Sequence, residues 1–460
     1  MLANHETRAK SIVELTTNGL FKRNWSSLYK AIDCFLSKKD TRQSIKMTLL
    51  KNLISDQKEH LFFLDTTPNF RPKSHKTDDR TYEVLAGRGV PGFSYSALCL
   101  GMEKSWAVPV SMERVSSNEN KCDKGLEQFL DVCEKLSENS NKILVADSAY
   151  SSNKFIAGIS QQKDAVLITR VRSNRKAYYT FSGHQKKLGR NKKYGDRVDL
   201  ANEDGNKIVF EEKTLSGKLQ YVEINSYNNL IFKGSKKLKM SDKAFNLLNI
   251  KVLNEKGERK YVRDLAISVS GAKKDSISPK QAYDFYKKRF DIEHFFKFGK
   301  TNLLMDKYQT TSSKKDESWH LLGMIAFNLL YSAKRMVSEI PLTPWNKKCS
   351  KLENITPFQT YRAMPKLFSK IDFLLDPVVK RGIPTENKRK IYLKKSNQEV
   401  VRKTKVGKNL EITIKSTFGE KTVFSKTQIN APDKNNEISK ATIFAKLEKR
   451  CEKLGLLLVD

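Results

Sequence analysis

The sequence predicts an α/β fold whose core is interrupted by a β-rich insertion, with a helical region before the core and a basic region after it. Three observations predict this. Short apolar runs alternate with helical periods over residues 59–172, and the helical pattern resumes over 273–345. The stretch between them, 173–272, reads as strands and turns. The two ends differ in kind, 1–58 in helical periods and 346–460 with clustered cations. A chain of 460 residues has material for roughly two to four such units.

The N-terminal region carries three helical stretches, AKSIVELTTNGLF, SSLYKAIDCFLSK and RQSIKMTLLKNLI, punctuated at Asn18-Gly19 and Lys38-Lys39-Asp40. Small, basic and helical, it is a candidate DNA-binding region. From Leu61 the runs LFFLD, YSALCLGM and WAVPVSM predict three strands, followed by a helix in LEQFLDVCEKL and a fourth strand in KILVAD. A helix in NKFIAGISQQ and a strand in AVLITRV continue the pattern to about Val171. The inserted stretch then offers KAYYTF, KIVFEE, LQYVEI, IKVL, RKYV and DLAISVS as strands, with a turn at Glu255-Lys256-Gly257-Glu258.

Ser278 and Gln281, with Pro279 between them, form a capping box that opens one long helix through SPKQAYDFYKKRFDIEHFFKFGK. The next helix, in ESWHLLGMIAFNLLYSAKRM, is apolar around most of its circumference and is expected to be buried. Beyond Pro341 the sequence predicts a helix in ITPFQTYRAMPKLF, a loop near Pro377 to Pro384, and a terminal helix in ATIFAKLEKRCEKLGLLL. Cations cluster between Arg381 and Lys408, a candidate phosphate-binding arm or dimer contact.

Lys and Arg number 86 against 51 Asp and Glu, a formal charge of +35 that draws the chain to polyanions, nucleic acid foremost. The six cysteines include no C-x-x-C pair, which argues against a zinc ribbon and a secreted disulfide framework and fits a cytoplasmic, nucleoid-associated protein. The longest apolar run, LLGMIAFNLLY, is too short to span a bilayer, so no membrane insertion is expected. The histidines show no zinc spacing, and the Gly87 to Gly92 stretch lacks the Lys-Ser/Thr of a P-loop.

Tyr286, Arg289, Glu293 and Lys300 are spaced by three, four and seven residues, which keeps them on one helix face. A carboxylate there can hold a hard cation while Arg and Lys neutralise phosphate oxygens. Ordinary surface pairing of Arg289 with Glu293 would give the same spacing. One carboxylate holds Mg²⁺ weakly, so Glu293 needs partners. Asp65 closes the run Leu61-Phe62-Phe63-Leu64 and Asp147 closes Ile143-Leu144-Val145-Ala146, both reading as buried parallel strands whose carboxyl ends are where α/β sheets place ligands. Either Asp could instead simply cap the segment that follows. Together with the helix-borne Glu293 they have the composition of a two-metal phosphoryl-transfer site, with Asp65 bridging two Mg²⁺ ions and Asp147 and Glu293 completing one each; Mn²⁺ would substitute.

On these residues, with LDTTPN around Asp65, ADSAYSS around Asp147 and HFFKFGKTNLLMDKYQT after Glu293, the chain resembles the DDE transposases of bacterial insertion sequences. The similarity is to the Tyr-Arg-Glu-Lys group, insertion sequence family four and its relatives, and covers about Leu61 to Lys334. The resemblance implies an RNase H-like catalytic core split by the insertion, acting as a homodimer on double-stranded DNA, both transposon ends and target. It implies metal-dependent cleavage at the ends followed by strand transfer, with Asp65, Asp147 and Glu293 catalytic and Tyr286, Arg289 and Lys300 on phosphate. The chain departs from many relatives at Ala149, where they carry Gly, and in having no tryptophan between Trp106 and Trp319. Tyr178, Tyr179, Phe181 or Tyr194 would then supply the stacking ring. Arg172, Arg175, Lys176, Arg190, Lys192 and Lys193 crowd the same region and are candidate DNA contacts. A two-metal nuclease without strand transfer, or an inactive DNA-binding regulator derived from a transposase, would share these features.

Overall fold

The structure is a computed structural model. It describes the chain apart from residues 1, 5–8, 18–20, 22, 24, 36–38, 55–57, 73–76, 86, 104, 138–139, 186–188, 190, 201–204, 215, 341–350, 370–399, 407–408, 417–418 and 425–460. It divides into two units, Met1–Val379 and Lys380–Asp460.

A 3-10 turn at Val13–Thr17 and helices α1 (Trp25–Phe35) and α2 (Lys39–Leu53) open the first unit. The apolar side of this start, Ile12, Leu15, Leu28 and Ile32, is buried against Leu304, Tyr308 and Trp319 from the far end of the core sequence. The sheet begins with β1 (Glu59–Phe70), β2 (Thr81–Leu85), β3 (Arg88–Gly101) and β4 (Ala107–Val115). After α3 (Lys121–Cys133) come β5 (Asn141–Ala146), a 3-10 turn at Ser148–Ser151, α4 (Asn153–Ile159) and β6 (Ala165–Arg170). Residues 173–272 form β7 (Ala177–Thr180), β8 (Tyr194–Arg197), β9 (Asn206–Lys213), β10 (Leu219–Phe232), β11 (Phe245–Asn254) and β12 (Leu265–Gly271). Helices α5 (Pro279–Lys288), α6 (Phe290–Asn302), α7 (Ser313–Ser338) and α8 (Pro357–Phe368) complete the unit. The second unit contains an antiparallel meander of β13 (Val400–Val406), β14 (Asn409–Ser416) and β15 (Gly419–Phe424).

One sheet runs β2-β3-β1-β5-β6-β12-β11-β10-β7-β8, with β4 also on β3 and β9 on β10. β1, β5 and β6 are parallel neighbours, which is why their sequences are unbroken apolar runs: both faces are covered. Phe62 meets Phe129 of α3 edge-on at 5.8 Å, and the approach of Gly125 to the Leu64 side chain leaves no room for a Cβ, so these two residues face α3. Strand alternation then turns Phe63 and Asp65 to the opposite face. Strands β7 to β12 continue the same sheet, β12 pairing antiparallel with β6 from Ile267↔Arg170 to Gly271↔Val166.

Five local expectations change. AKSIVELTTNGLF, expected to be a helix, forms only the 3-10 turn Val13–Thr17 among its described residues, where the Thr16 and Thr17 hydroxyls bond back to Val13 O and Glu14 O. β1 does not stop at Asp65; parallel pairing with β5 ends at Leu64↔Ala146, but antiparallel pairing with β3 carries the strand on to Phe70↔Gly92. β2 was not legible because its apolar residues are solvent-facing, Val84 at 75% exposure. RKYV is not a strand: Val262 is 96% exposed and only a single bridge joins Leu253 to Arg259. The long helix is two helices separated by one turn residue, Arg289, whose amide reaches back to Tyr286 O in a tightened turn. The capping box at Ser278 and Gln281 forms as expected, and Thr356 with Gln359 makes a second one on α8. The loop near Pro377 to Pro384, the terminal helix and most of the Arg381 to Lys408 cluster lie outside the described residues.

A buried polar knot fixes the far end of β1. Arg71 pairs with Asp316 at 2.6 Å, their side chains 1% and 0% exposed, and donates to Tyr308 O at 2.6 Å. The Tyr95 hydroxyl donates to the second Asp316 oxygen at 2.6 Å, and the His320 ring stacks on Tyr95 at 3.7 Å. Removing one partner of such a pair strands the other charge in the core. Arg71→Met is therefore expected to lower unfolding free energy by about 3–5 kcal/mol, read from urea denaturation at neutral pH; a loss below about 1 kcal/mol would show that the pair contributes little.

Candidate active site

The parallel register of β1 and β5 ends at Leu64↔Ala146, and that of β5 and β6 reaches Ala146↔Thr169. The next residues, Asp65, Asp147 and Arg170, therefore stand at one level on three adjacent strands. Asp65 Oδ1 accepts from its neighbour Thr66 N at 2.7 Å. Asp147 also caps the 3-10 turn, its Oδ1 accepting from Ala149 N at 2.8 Å; a cap and a site position coincide in this residue.

The tight turn between α5 and α6 brings Arg289 over the strand row. Its Nη1 donates to Asp65 Oδ2 at 3.2 Å and its Nη2 to Glu293 Oε1 at 3.0 Å, while the buried Nε finds no acceptor among the described residues. The guanidinium also lies 5.8 Å from the centre of the Tyr286 ring and 4.9 Å from that of Phe290. Lys300 Nζ donates to Pro68 O on β1 at 2.8 Å. Arg289 and Lys300 of the helical motif thus both engage β1. Glu293 is half-exposed, whereas Tyr286 and Arg289 are buried.

Burial raises the Asp65 carboxyl to about 6, the Thr66 amide opposes this, the charge of Asp147 adds to it, Arg289 opposes it, and Glu293 adds again. Three carboxylates thus share one field. Burial also raises the Tyr286 hydroxyl, against the pull of Arg289 and then Arg170, and lowers Lys300. Arg289 is held charged by Tyr286, Asp65 and Glu293 despite its own desolvation.

Three acidic side chains suit a hard divalent ion in kind, and the mutual repulsion at Asp65 is what such an ion would relieve. Their spacing is not that of a preformed metal site: among the described residues no three His, Cys, Asp or Glu groups stand close enough to hold one ion. Asp65 and Glu293 are joined through Arg289 instead.

The basic candidates scatter. Arg172, Arg175 and Lys176 line a small cleft with Arg197. Arg175 is engaged in packing, 3.5 Å above the Phe232 ring and bonded to Asn153, and burial with the nearby Arg172 charge lowers it to about 10. Lys192 and Lys193 line a separate concavity of about 500 Å³ with Lys233, Lys236 and Lys239. Arg190 lies outside the described residues. Of the rings, Tyr178 and Tyr194 tilt together at 5.7 Å, Lys192 covers Phe181 and Lys233 covers Tyr178. The Arg71–Asp316 pair was not legible in the sequence, because Asp316 stands in a charged first turn of α7, SKKDES, that reads as a solvated helix start. No helix among the described residues is long and apolar enough to cross a membrane.

An Asp whose folded pKa is raised binds more protons folded than unfolded, so stability falls as pH rises from about 3.8 to about 6 and stays at the lower level above that. Asp65→Asn, which mimics the protonated form, should stabilise the metal-free protein at pH 8 by up to roughly 3 kcal/mol and by little near pH 4. Denaturant unfolding at the two pH values checks this; equal gains at both would contradict it.

The sequence matches the family described as transposase DDE domain over residues 58–329, a span that starts just before β1 and ends within α7. No curated protein matches the chain. Among solved structures it is similar to a piggyBac transposase synaptic complex with hairpin DNA, at 10% identity and a TM-score of 0.36, covering 86% of this chain and 76% of that one. With the family matched across more than half of its length, this chain belongs to the DDE-domain transposases.

Proposed function

We propose that the chain is a DNA transposase of the Tyr-Arg-Glu-Lys group, cutting DNA at the ends of a mobile element and joining the freed 3′-OH to target DNA. The observation that carries the proposal is the strand register that sets Asp65 beside Asp147, with Arg289 bridging Asp65 to Glu293. The strand order β4-β3-β1-β5-β6, antiparallel and then parallel, supports an RNase H-like core at 59–172 and 273–345 with 173–272 as its insertion. The helical 1–58 and basic 346–460 would serve DNA contact or dimerisation in a homodimer on double-stranded DNA.

Asp65, Asp147 and Glu293 would hold two Mg²⁺, or Mn²⁺ in their place. When bound, these ions would supply polarisation of the scissile phosphate and acidification of the attacking water. The protein's own part is positioning. Arg289 occupies the space between two acids, so the site closes only when its guanidinium leaves them; an arriving phosphate, accepting a bidentate charge-assisted pair and the spare Nε proton, offers a competing partner. Lys300, tethered to β1 at Pro68 O, would neutralise charge on the same strand of DNA, and Tyr286 would fix the angle of Arg289 through ring contact.

Full-length protein incubated with Mg²⁺ and supercoiled plasmid carrying the DNA that flanks its gene is expected to nick it. Asp65→Asn and Glu293→Gln should each lose more than the ~10–100-fold that removal of an outer-shell partner costs, with DNA affinity retained, and chelation should do the same. Pre-cleaved ends should yield joined product. Nicking without joining would identify a nuclease, and binding without nicking a regulator; either outcome defeats the proposal.

A further inference from the structure

A cleft of about 940 Å³ opens between the end of β6 and the β11–β12 connection. Its lining includes Arg170, Arg172, Lys251, Arg259 and Arg263, with Asp264 as the one carboxylate among the described residues. Arg259 pairs with Asp264 at 3.3 Å, and Arg170, Arg172 and Arg263 face the same cleft with no other acid among the described residues of its wall. Pockets of this size that take small molecules are mostly apolar with a few polar groups. Here like charges converge, and a cleft lined by one sign of charge attracts a polyanion. Among the described residues no aromatic ring lines the cleft to stack an unpaired base. Ser148, in the same wall, follows Asp147 directly, and Arg170 stands level with Asp147 on the next strand.

We infer that this cleft is a binding site for the sugar-phosphate backbone of duplex DNA, gripping it on the Asp147 side of the strand row through Arg170, Arg259 and Arg263. The inference rests on the transposase reading and adds to it residues from the β11–β12 connection, far along the chain from the acids. Binding there is sequence-independent, because each contact is to phosphate.

The test uses full-length protein and a fluorescein-labelled duplex of arbitrary sequence, about three helical turns long, with the matching single strand as second probe. Anisotropy is read between 50 and 200 mM salt. Arg259→Gln with Arg263→Gln, both on an exposed connection, should flatten the log Kd against log salt slope for duplex by about 1.8, at ~0.9 for each phosphate no longer neutralised. Lys213→Gln with Lys218→Gln, at the β9–β10 turn, removes equal charge and should leave the slope unchanged. Circular dichroism verifies folding of each variant, and Arg170→Gln alone, expected to flatten the slope by about 0.9, supplies the result if the double variant misfolds. An unchanged slope, an equal effect from the lysine pair, or a change confined to single strand overturns the inference. Plasmid nicking by the wild type separates the causes: if nicking persists while the slope is unchanged, only the cleft assignment fails, whereas a wild type that neither binds nor nicks removes both.

Discussion

The Arg71–Asp316 pair is the constraint on which the rest of the arrangement depends. It ties the last turn of β1 to the first turn of α7, and Arg71 also holds the Tyr308 carbonyl of the segment between α6 and α7. With that segment held, α6 lies along β1, where Lys300 meets Pro68 and Arg289 meets Asp65. A buried pair of this kind contributes little net stability compared with apolar packing, but it admits few alternative dockings, because any slip leaves a charge without its partner. Tyr95, donating to the same carboxylate, draws β3 into the same lock.

The apolar runs at Leu61 and Ile143 made the two central strands legible, because only strands covered on both faces are apolar at every position. Their adjacency, which sets Asp65 level with Asp147, comes from the β1–β5 pairing and not from the runs themselves. The capping box at Ser278 was legible because its two side chains act within one turn. What stayed hidden depends on tertiary pairing: the continuation of β1 past Asp65 is imposed by β3, and β2 forms on the far edge of β3 with its apolar side chains in solvent. The break at Arg289 carries no glycine or proline to announce it. Helical spacing could place Glu293 on the right face but could not say that a guanidinium would stand between it and Asp65.

That guanidinium gives the site an internal counter-charge. Two acids that would repel each other are instead held by one fork, with the third contributing to the field at Asp65. As a result Asp65 is neither well solvated nor fully neutralised, a strain typical of groups placed for chemistry rather than for stability.

The junction of β12 with β6 has a consequence for how such a chain can change over time. Since β12 is hydrogen-bonded to β6, deleting β7 to β12 would leave β6 as a raw edge with a row of unsatisfied amides and carbonyls, open to pairing with another molecule. The outer border, at β8 and β9, has no such duty toward the acids. Growth, loss or exchange of material is tolerable there, several strands away from Asp147, so that margin is where variation can accumulate without disturbing the row that carries Asp65 and Asp147.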